Sequence, residues 1–232
     1  MSIVFIISAP SGSGKSTLVN EVRQIVPGLD FSVSYTTRPL RGSEQNGREY
    51  FFVSREQFEE MIKQDAFLEH ANVFGNYYGT ARRFFQEAQQ NRHDLLLDID
   101  VQGAEQIKRK LPEAVSIFIL PPNREKLEWR LRNRGLDSEE VIQRRLVTAT
   151  REIENYFKYE YILVNDRLEE SVEALKAILL GERLKRSGIQ TFSAEQKALL
   201  ARTDSCLLEL EVVRNRVQPI LASFKEVVPS ER

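Results

Sequence analysis

Ile3-Val4-Phe5-Ile6-Ile7-Ser8-Ala9-Pro10-Ser11-Gly12-Ser13-Gly14-Lys15-Ser16-Thr17 is the stretch on which the fold turns. Ser2 to Ser8 is apolar, β-branched and free of charge, the pattern of a strand buried on both faces. A Gly/Ser turn from Pro10 to Gly14 follows. Lys15 to Val26 then reads as a helix that stops at Pro27-Gly28. The loop nearly matches G-x-x-x-x-G-K-[ST], with Ala9 in place of the first glycine. Gly12 and Gly14 lack a Cβ, so the backbone can curl with its N–H groups pointing inward. Those donors and the positive end of the helix suit β- and γ-phosphates. Lys15 adds a mobile cation, and the Ser16 hydroxyl can ligate Mg²⁺. The pattern alone also fits a turn carrying a solvated lysine; the strand before it and the helix after it favour a nucleoside triphosphate.

Working outward, Phe31 to Ser34 reads as a short second strand, and Thr36 to Gly47 as a polar, arginine-bearing loop. Tyr50 to Val53 alternates as a strand. Ser54 caps a helix to Gln64, with Gln57 as its capping-box partner. Phe67 to Tyr78 suggests a hairpin and Ala81 to Asn91 a helix. Further strands are expected at Leu95 to Asp98, Val115 to Leu120 and Tyr161 to Val164. Helices are expected at Val101 to Lys110, Arg124 to Arg134, Ser138 to Tyr156 and Leu168 to Lys185. Strands alternating with helices imply an α/β fold, a parallel sheet flanked by helices. Residues 35–92 break the alternation and read as an inserted mixed α/β lobe. The expected division is a core of 1–34, 93–122 and 151–186, the inserted lobe at 35–92, a helical segment at 123–150 and a C-terminal helical extension at 187–232.

The bulk numbers are those of an ordinary globular chain: 232 residues, 41% hydrophobic, 29% charged. A formal net charge of -1 argues against a nucleic-acid or anionic-membrane partner, so any phosphate chemistry needs locally placed Arg and Lys. The single cysteine, Cys206, excludes an intrachain disulfide and a multi-cysteine zinc site, and fits a cytoplasmic setting. The run Ile3 to Ile7 is too short for a membrane span.

The acceptor is written in Thr36-Thr37-Arg38-Pro39-Leu40-Arg41-Gly42-Ser43-Glu44-Gln45-Asn46-Gly47-Arg48-Glu49-Tyr50-Phe51-Phe52. Two arginines three apart in a loop can converge on a dianionic phosphate through planar bidentate forks, and Tyr50 can add a hydroxyl. The spacing T-T-R-x-x-R-x-x-E-x-x-G-x-x-Y-x-F resembles the signature of the guanylate kinase family. Phe67-Leu68-Glu69, Gly75-Asn76-Tyr77-Tyr78-Gly79-Thr80, Leu97-Asp98-Ile99-Asp100-Val101-Gln102-Gly103, Arg130, Arg134-Gly135, Arg145 and Val164-Asn165-Asp166 follow in family order, over about residues 3 to 185. The resemblance implies a P-loop NTPase-type fold, ATP and GMP as substrates and Mg²⁺ as the ion. It implies that Arg38, Arg41, Tyr50 and Tyr78 hold the GMP phosphate, and that Ser34, Glu69, Thr80 and Asp100 recognise guanine. Guanine presents N1–H and N2–H₂ donors beside the O6 acceptor, which suits a carboxylate with a hydroxyl. Ala9, Pro10, Ser11, Gly12, Ser13, Gly14, Lys15, Ser16 and Thr17 would hold ATP, with Asn165 near its adenine. Asp98 and Asp100 would act on the metal through water.

By the same resemblance residues 123–150 are a lid. Arg130, Arg134 and Arg145, with Lys15 and Arg41, would neutralise charge on the transferring group. On its own terms the arginine-rich segment also reads as a helical face balanced by Glu125, Glu128, Glu139 and Glu140. His70 and His93 read as structural. Two other readings are an interaction module that reuses the fold and a kinase of another phosphorylated acceptor. The retained loop, Lys15 and arginines weigh against the first, and the guanine-reading set against the second. In the tail, Ser193-Ala194-Glu195-Gln196 suggests a capping box. Leu199, Leu200, Leu207, Leu210, Val213 and Val217 form an apolar stripe up to Pro219. Such a stripe either pairs with a second copy, giving a homo-oligomer, or packs on its own domain, the preferred reading.

Overall fold

In the computed structural model, residues 2–73, 75–133 and 138–225 are described. β1 (Val4–Ser8) runs into the glycine loop and α1 (Lys15–Ile25) leaves it. Then come β2 (Leu29–Ser32), β3 (Tyr35–Thr36), β4 (Phe51–Phe52), α2 (Arg55–Lys63), β5 (Phe67–Val73), β6 (Asn76–Ala81) and α3 (Arg82–Asn91). Alternation resumes with β7 (Asp94–Asp98), α4 (Val101–Lys110), β8 (Val115–Leu120), α5 (Arg124–Asn133), α6 (Glu139–Ile153), β9 (Tyr161–Val164) and α7 (Leu168–Lys185), and α8 (Ala194–Asp204) and α9 (Glu211–Lys225) follow. Five strands form a parallel sheet in the order β2-β7-β1-β8-β9, and a separate four-stranded mixed sheet has the order β4-β3-β6-β5. This is the expected α/β architecture with its insertion. Phe5, Ile6 and Ile7 on the central strand are fully buried, which is why that run carries no charge. The strand expected at Phe31 to Ser34 sits earlier, because Leu29 and Asp30 pair with Asp94 and Leu95.

The chain divides into two compact units. One comprises residues 1–7 and 27–115. Here α3 packs on β2 and β7, and α4 packs on β5. The Ser54–Gln57 capping box forms in full at the start of α2. Phe58 then stacks on Phe67 and Tyr77 at ring-centroid distances of 4.5 and 5.1 Å, joining that helix to the hairpin. His93 pairs with Asp30 at 2.8 Å, and the His70 backbone is bonded at both ends by the Gln106 side chain, consistent with structural roles.

The other unit comprises residues 8–26 and 116–232. α1 and α8 both pack on α7. The closest approach is at Gly181, where a Cβ would lie 2.0 Å from Thr203 Oγ1; that hydroxyl donates to Ala177 O at 2.7 Å. Lys185 joins the Tyr161 hydroxyl (2.9 Å) to Asp204 (2.8 Å), linking β9, α7 and α8. The tail next passes the outer edge of β9: Ile162 N donates to Cys206 O at 2.8 Å and Leu208 N to Glu160 O at 2.9 Å, with Leu207 bridged antiparallel to Tyr161.

α9 then packs on α5 and α6 through buried Val213, Val217, Ile220 and Phe224. The sequence stripe suggested one run ending at Pro219; instead the chain breaks after Asp204, and Pro219 lies inside α9. A proline in a helix interior costs about 3 kcal/mol. Burying Ile220 and Phe224 on the next turns gains roughly 1.5–3 kcal/mol each, which is enough to carry the helix past it. No helix among the described residues is long and apolar enough to cross a membrane.

Candidate active site

The glycine loop is shaped by its two positive-φ glycines, Gly12 at φ 93° and Gly14 at φ 86°. Side chains close in where their Cβ atoms would be. A Cβ on Gly12 would lie 2.9 Å from Leu131 Cδ2, and one on Gly14 2.5 Å from Asn165 Nδ2. Ser13 N closes the turn on Pro10 O at 3.1 Å. Ser11 N donates to the Glu152 carboxylate at 3.4 Å, so a carboxylate already sits against one loop donor. Ser13 Oγ is buried with no hydrogen-bond partner. Lys15 is half-buried at the first position of α1, and Ser16 and Thr17 are exposed on its first turn.

Two residues expected at the nucleotide hold the loop itself. Asn165, 4% exposed, donates its amide to Ser13 O at 2.7 Å. Arg130 donates to Ser13 O at 3.2 Å and to the carbonyls of Asn165 and Asp166 at 2.9 and 3.4 Å, tying the turn after β9 to the glycine loop. Arg145 is half-buried on α6. Arg134 lies outside the described residues. Arg132 follows the helical-face reading: it pairs with Glu128 at 2.7 Å and with Glu139.

In the other unit, the two threonines that open the arginine motif are pegs. Thr36 Oγ1 donates to Tyr77 O (3.0 Å) and accepts from Arg38 N (3.1 Å), and Thr37 Oγ1 accepts from Tyr77 N (2.9 Å). The loop is thereby fixed to β6. Arg38, 7% exposed, donates to Pro39 O at 2.7 Å and to Glu44 at 2.8 Å, using two of the five donors of a guanidinium. Its carbon lies 5.3 Å from the Tyr50 ring centroid, and that ring meets Tyr78 edge-on at 5.8 Å. Burial works against the Arg38 charge, but Glu44 and Tyr78 more than offset it and hold the pKa above its ordinary value. Burial likewise raises the Tyr50 hydroxyl, with Asp98 adding to the shift, so Tyr50 stays a neutral donor. Arg41 is exposed; its backbone N–H is held by Glu44 at 2.9 Å. Arg38, Tyr50 and Tyr78 therefore converge, with Arg41 at the rim.

Glu69 and Thr80 face each other across the hairpin, and Thr80 Oγ1 donates to Glu69 Oε1 at 2.7 Å. Both are buried, and burial pushes the Glu69 carboxyl up to about 7, with Asp100 adding to the shift. Its other oxygen rests against Gly103, where a Cβ would come within 2.5 Å. Asp100 is the N-cap of α4, accepting from Gly103 N at 2.8 Å. One of its oxygens is thus engaged before any ligand arrives. Ser34 is buried, and its carbonyl accepts from Phe51 N at 2.9 Å. The single hydrogen of Thr80 is given to Glu69, so donation to a base oxygen requires that it be redirected.

Glu44 and Gly103 stand within the sequence motifs with no local signal of a role. Glu44 orders both arginines, and Gly103 makes room for Glu69. No group of three or more His, Cys, Asp or Glu suited to a metal ion exists among the described residues.

A family model described as guanylate kinase matches residues 1–182. A guanylate kinase of Koribacter versatilis is 59% identical over 226 residues, 96% of this chain and 96% of the relative. A guanylate kinase of Escherichia coli is 50% identical over 186 residues, 79% of this chain and 90% of the relative. The crystal structure of guanylate kinase from Anaplasma phagocytophilum matches with a TM-score of 0.66 at 34% identity, over 80% of this chain and 88% of that one.

Proposed function

The chain belongs to the guanylate kinase family, and from that premise we propose how its residues divide the work. The activity is that of the family: GMP becomes GDP with ATP as the phosphoryl donor. In our reading Ala9 to Thr17 seat the ATP phosphates, with Lys15 on the phosphate oxygens. Asn165 and Arg130 contribute by fixing the loop's shape, and Arg130, Arg134 and Arg145 share the neutralisation of charge. Arg38, Arg41, Tyr50 and Tyr78 hold the GMP phosphate; Ser34, Glu69, Thr80 and Asp100 read guanine. A GMP phosphate oxygen attacks the γ-phosphorus while the bond to the β-bridging oxygen breaks and ADP leaves. That oxygen is already anionic, so positioning and charge neutralisation suffice without a protein nucleophile.

The residues fit Mg²⁺ carried in with the nucleotide. The exposed Ser16 hydroxyl on the first turn of α1 offers one oxygen ligand, and Mg²⁺ characteristically takes one or two protein ligands plus substrate phosphates and waters. Asp98 and Asp100 would act through water, and the ion would neutralise phosphate charge. Residues 35–92 serve in this reading as the GMP lobe, 123–150 as the lid, and 1–34, 93–122 and 151–186 as the core. The setting is cytoplasmic. The burial of Val213, Val217, Ile220 and Phe224 favours a tail that packs on its own domain over one that pairs with a second copy. Light scattering giving a dimer mass for the full chain would reverse that choice.

One observation carries the guanine assignment: the buried Glu69–Thr80 pair lodged against Gly103. Adenine has neither N1–H nor a 2-amino group and would offer the desolvated Glu69 no donor, a mismatch that such sites reject strongly. A coupled assay with GMP, AMP, UMP and dTMP as acceptors tests this. GMP alone should support rapid ADP release; comparable rates with AMP would overturn the assignment.

A further inference from the structure

α5 carries one large side chain that the phosphate chemistry does not use. Trp129 is the sole tryptophan of the chain, and it is 59% exposed. It immediately precedes Arg130, whose guanidinium is bonded to the glycine loop. With Gly12, Gly14, Thr17, Asn133 and Asp166 it lines an open cavity of about 330 Å³. That volume falls in the range of small-molecule pockets. The cavity shares Gly12 and Gly14 with the phosphate cradle, so it begins where a bound triphosphate would end.

Part of the polar lining of this cavity is committed. The Asn165 amide is given to Ser13 O, and the carbonyls of Asn165 and Asp166 accept from Arg130. Among the described residues that line it, the indole is the one aromatic face it offers a flat base. Lys126 Nζ lies 5.3 Å from the ring centroid, a cation over the π-face that holds the ring in place. An indole mostly in water also gains from being covered. The geometry points to Trp129 as the residue that holds the base of the donor nucleotide by stacking. This rests on the ATP site proposed above and adds to it a residue outside the family motifs. Because every base has a π-face, such a contact supplies affinity more than base identity.

The single tryptophan makes the test direct. Its fluorescence is followed while the full chain is titrated with ATP or with inorganic tripolyphosphate, which has no base. Stacking predicts quenching by ATP and not by tripolyphosphate. Trp129→Ala should raise KM for ATP about 5- to 140-fold, the range of base–aromatic stacking contacts, while KM for GMP and kcat stay near wild type. Trp129→Phe should recover most of the loss. An unchanged emission at saturating ATP in an enzyme that turns over, or a KM for ATP within twofold in Trp129→Ala, would overturn the proposal. Wild-type turnover of ATP and GMP is the separate check on the reaction; its failure would strike the ATP site, whereas a silent tryptophan with turnover intact strikes only the stacking.

Discussion

Raising the pH from 6 to 8 should tighten GMP binding through Glu69. Its carboxyl is buried beside Asp100 and pushed up to about 7. The N1–H and N2–H₂ groups of guanine are both donors, so only the ionised carboxylate can receive them. If binding is confined to that form, the apparent Kd is multiplied by 1 + 10^(pKa − pH): about 11 at pH 6 and about 1.1 at pH 8. That is roughly tenfold. At pH 7 GMP binding should release about half a proton from this site. Calorimetric titration in buffers of different ionisation enthalpy measures both quantities. The GMP phosphate titrates near pH 6 and adds its own slope, so Glu69→Gln is the reference: weaker binding, with only the phosphate's slope left. The sign for folding runs the other way. A carboxyl raised from 4.5 to about 7 costs nothing below pH 4.5 and on the order of 3 kcal/mol above pH 7, so Glu69→Gln should melt higher than wild type at pH 8 and not at pH 4. Equal proton release by wild type and Glu69→Gln at pH 7 would refute the reasoning.

Three other substitutions probe the two units. Lys15→Ala should abolish turnover in steady-state assays with an unchanged circular dichroism melt; near-wild-type kcat would remove Lys15 from its assigned role. Gly103→Ala places a carbon 2.5 Å from Glu69 Oε2, and kinetics should show a raised KM for GMP beside an unaltered KM for ATP. Gly181→Ala drives a methyl into Thr203 Oγ1 at 2.0 Å; thermal denaturation should report a loss of about 1–3 kcal/mol, the usual cost of overpacking.

Much of the frame was legible because it is local. The charge-free run at Val4–Ser8 and the capping boxes at Ser54 and Ser193 each carry their signal within a few residues. The sequence at Thr36 reads as the start of a loop, since two residues become β3 by pairing with Phe51 and Phe52 and with Gly79 and Tyr78 far along the chain. The same distance hid the pegging of Thr36 and Thr37 to Tyr77, which gives the paired threonines before Arg38 a structural task. Gly103 carries no signal of its own in the sequence, because the carboxylate that needs its empty side comes from β5. The amide of Asn165 lies on the loop carbonyl of Ser13, a contact the motif V-N-D does not encode. The break after Asp204 was hidden because leucines at helical spacing continue through it, and what interrupts the helix is pairing with β9.

That pairing gives the segment 206–208 a protective task. A bare outermost strand displays unmet N–H and C=O groups to any other extended peptide, and proteins usually blunt such borders. Here Cys206 satisfies one of those groups on β9, Ile162 N, and Leu208 the carbonyl of Glu160 just before it, with backbone of the same chain. A version shortened to end near Arg186 would leave Ile162 N and Glu160 O without these partners and that border open to another strand.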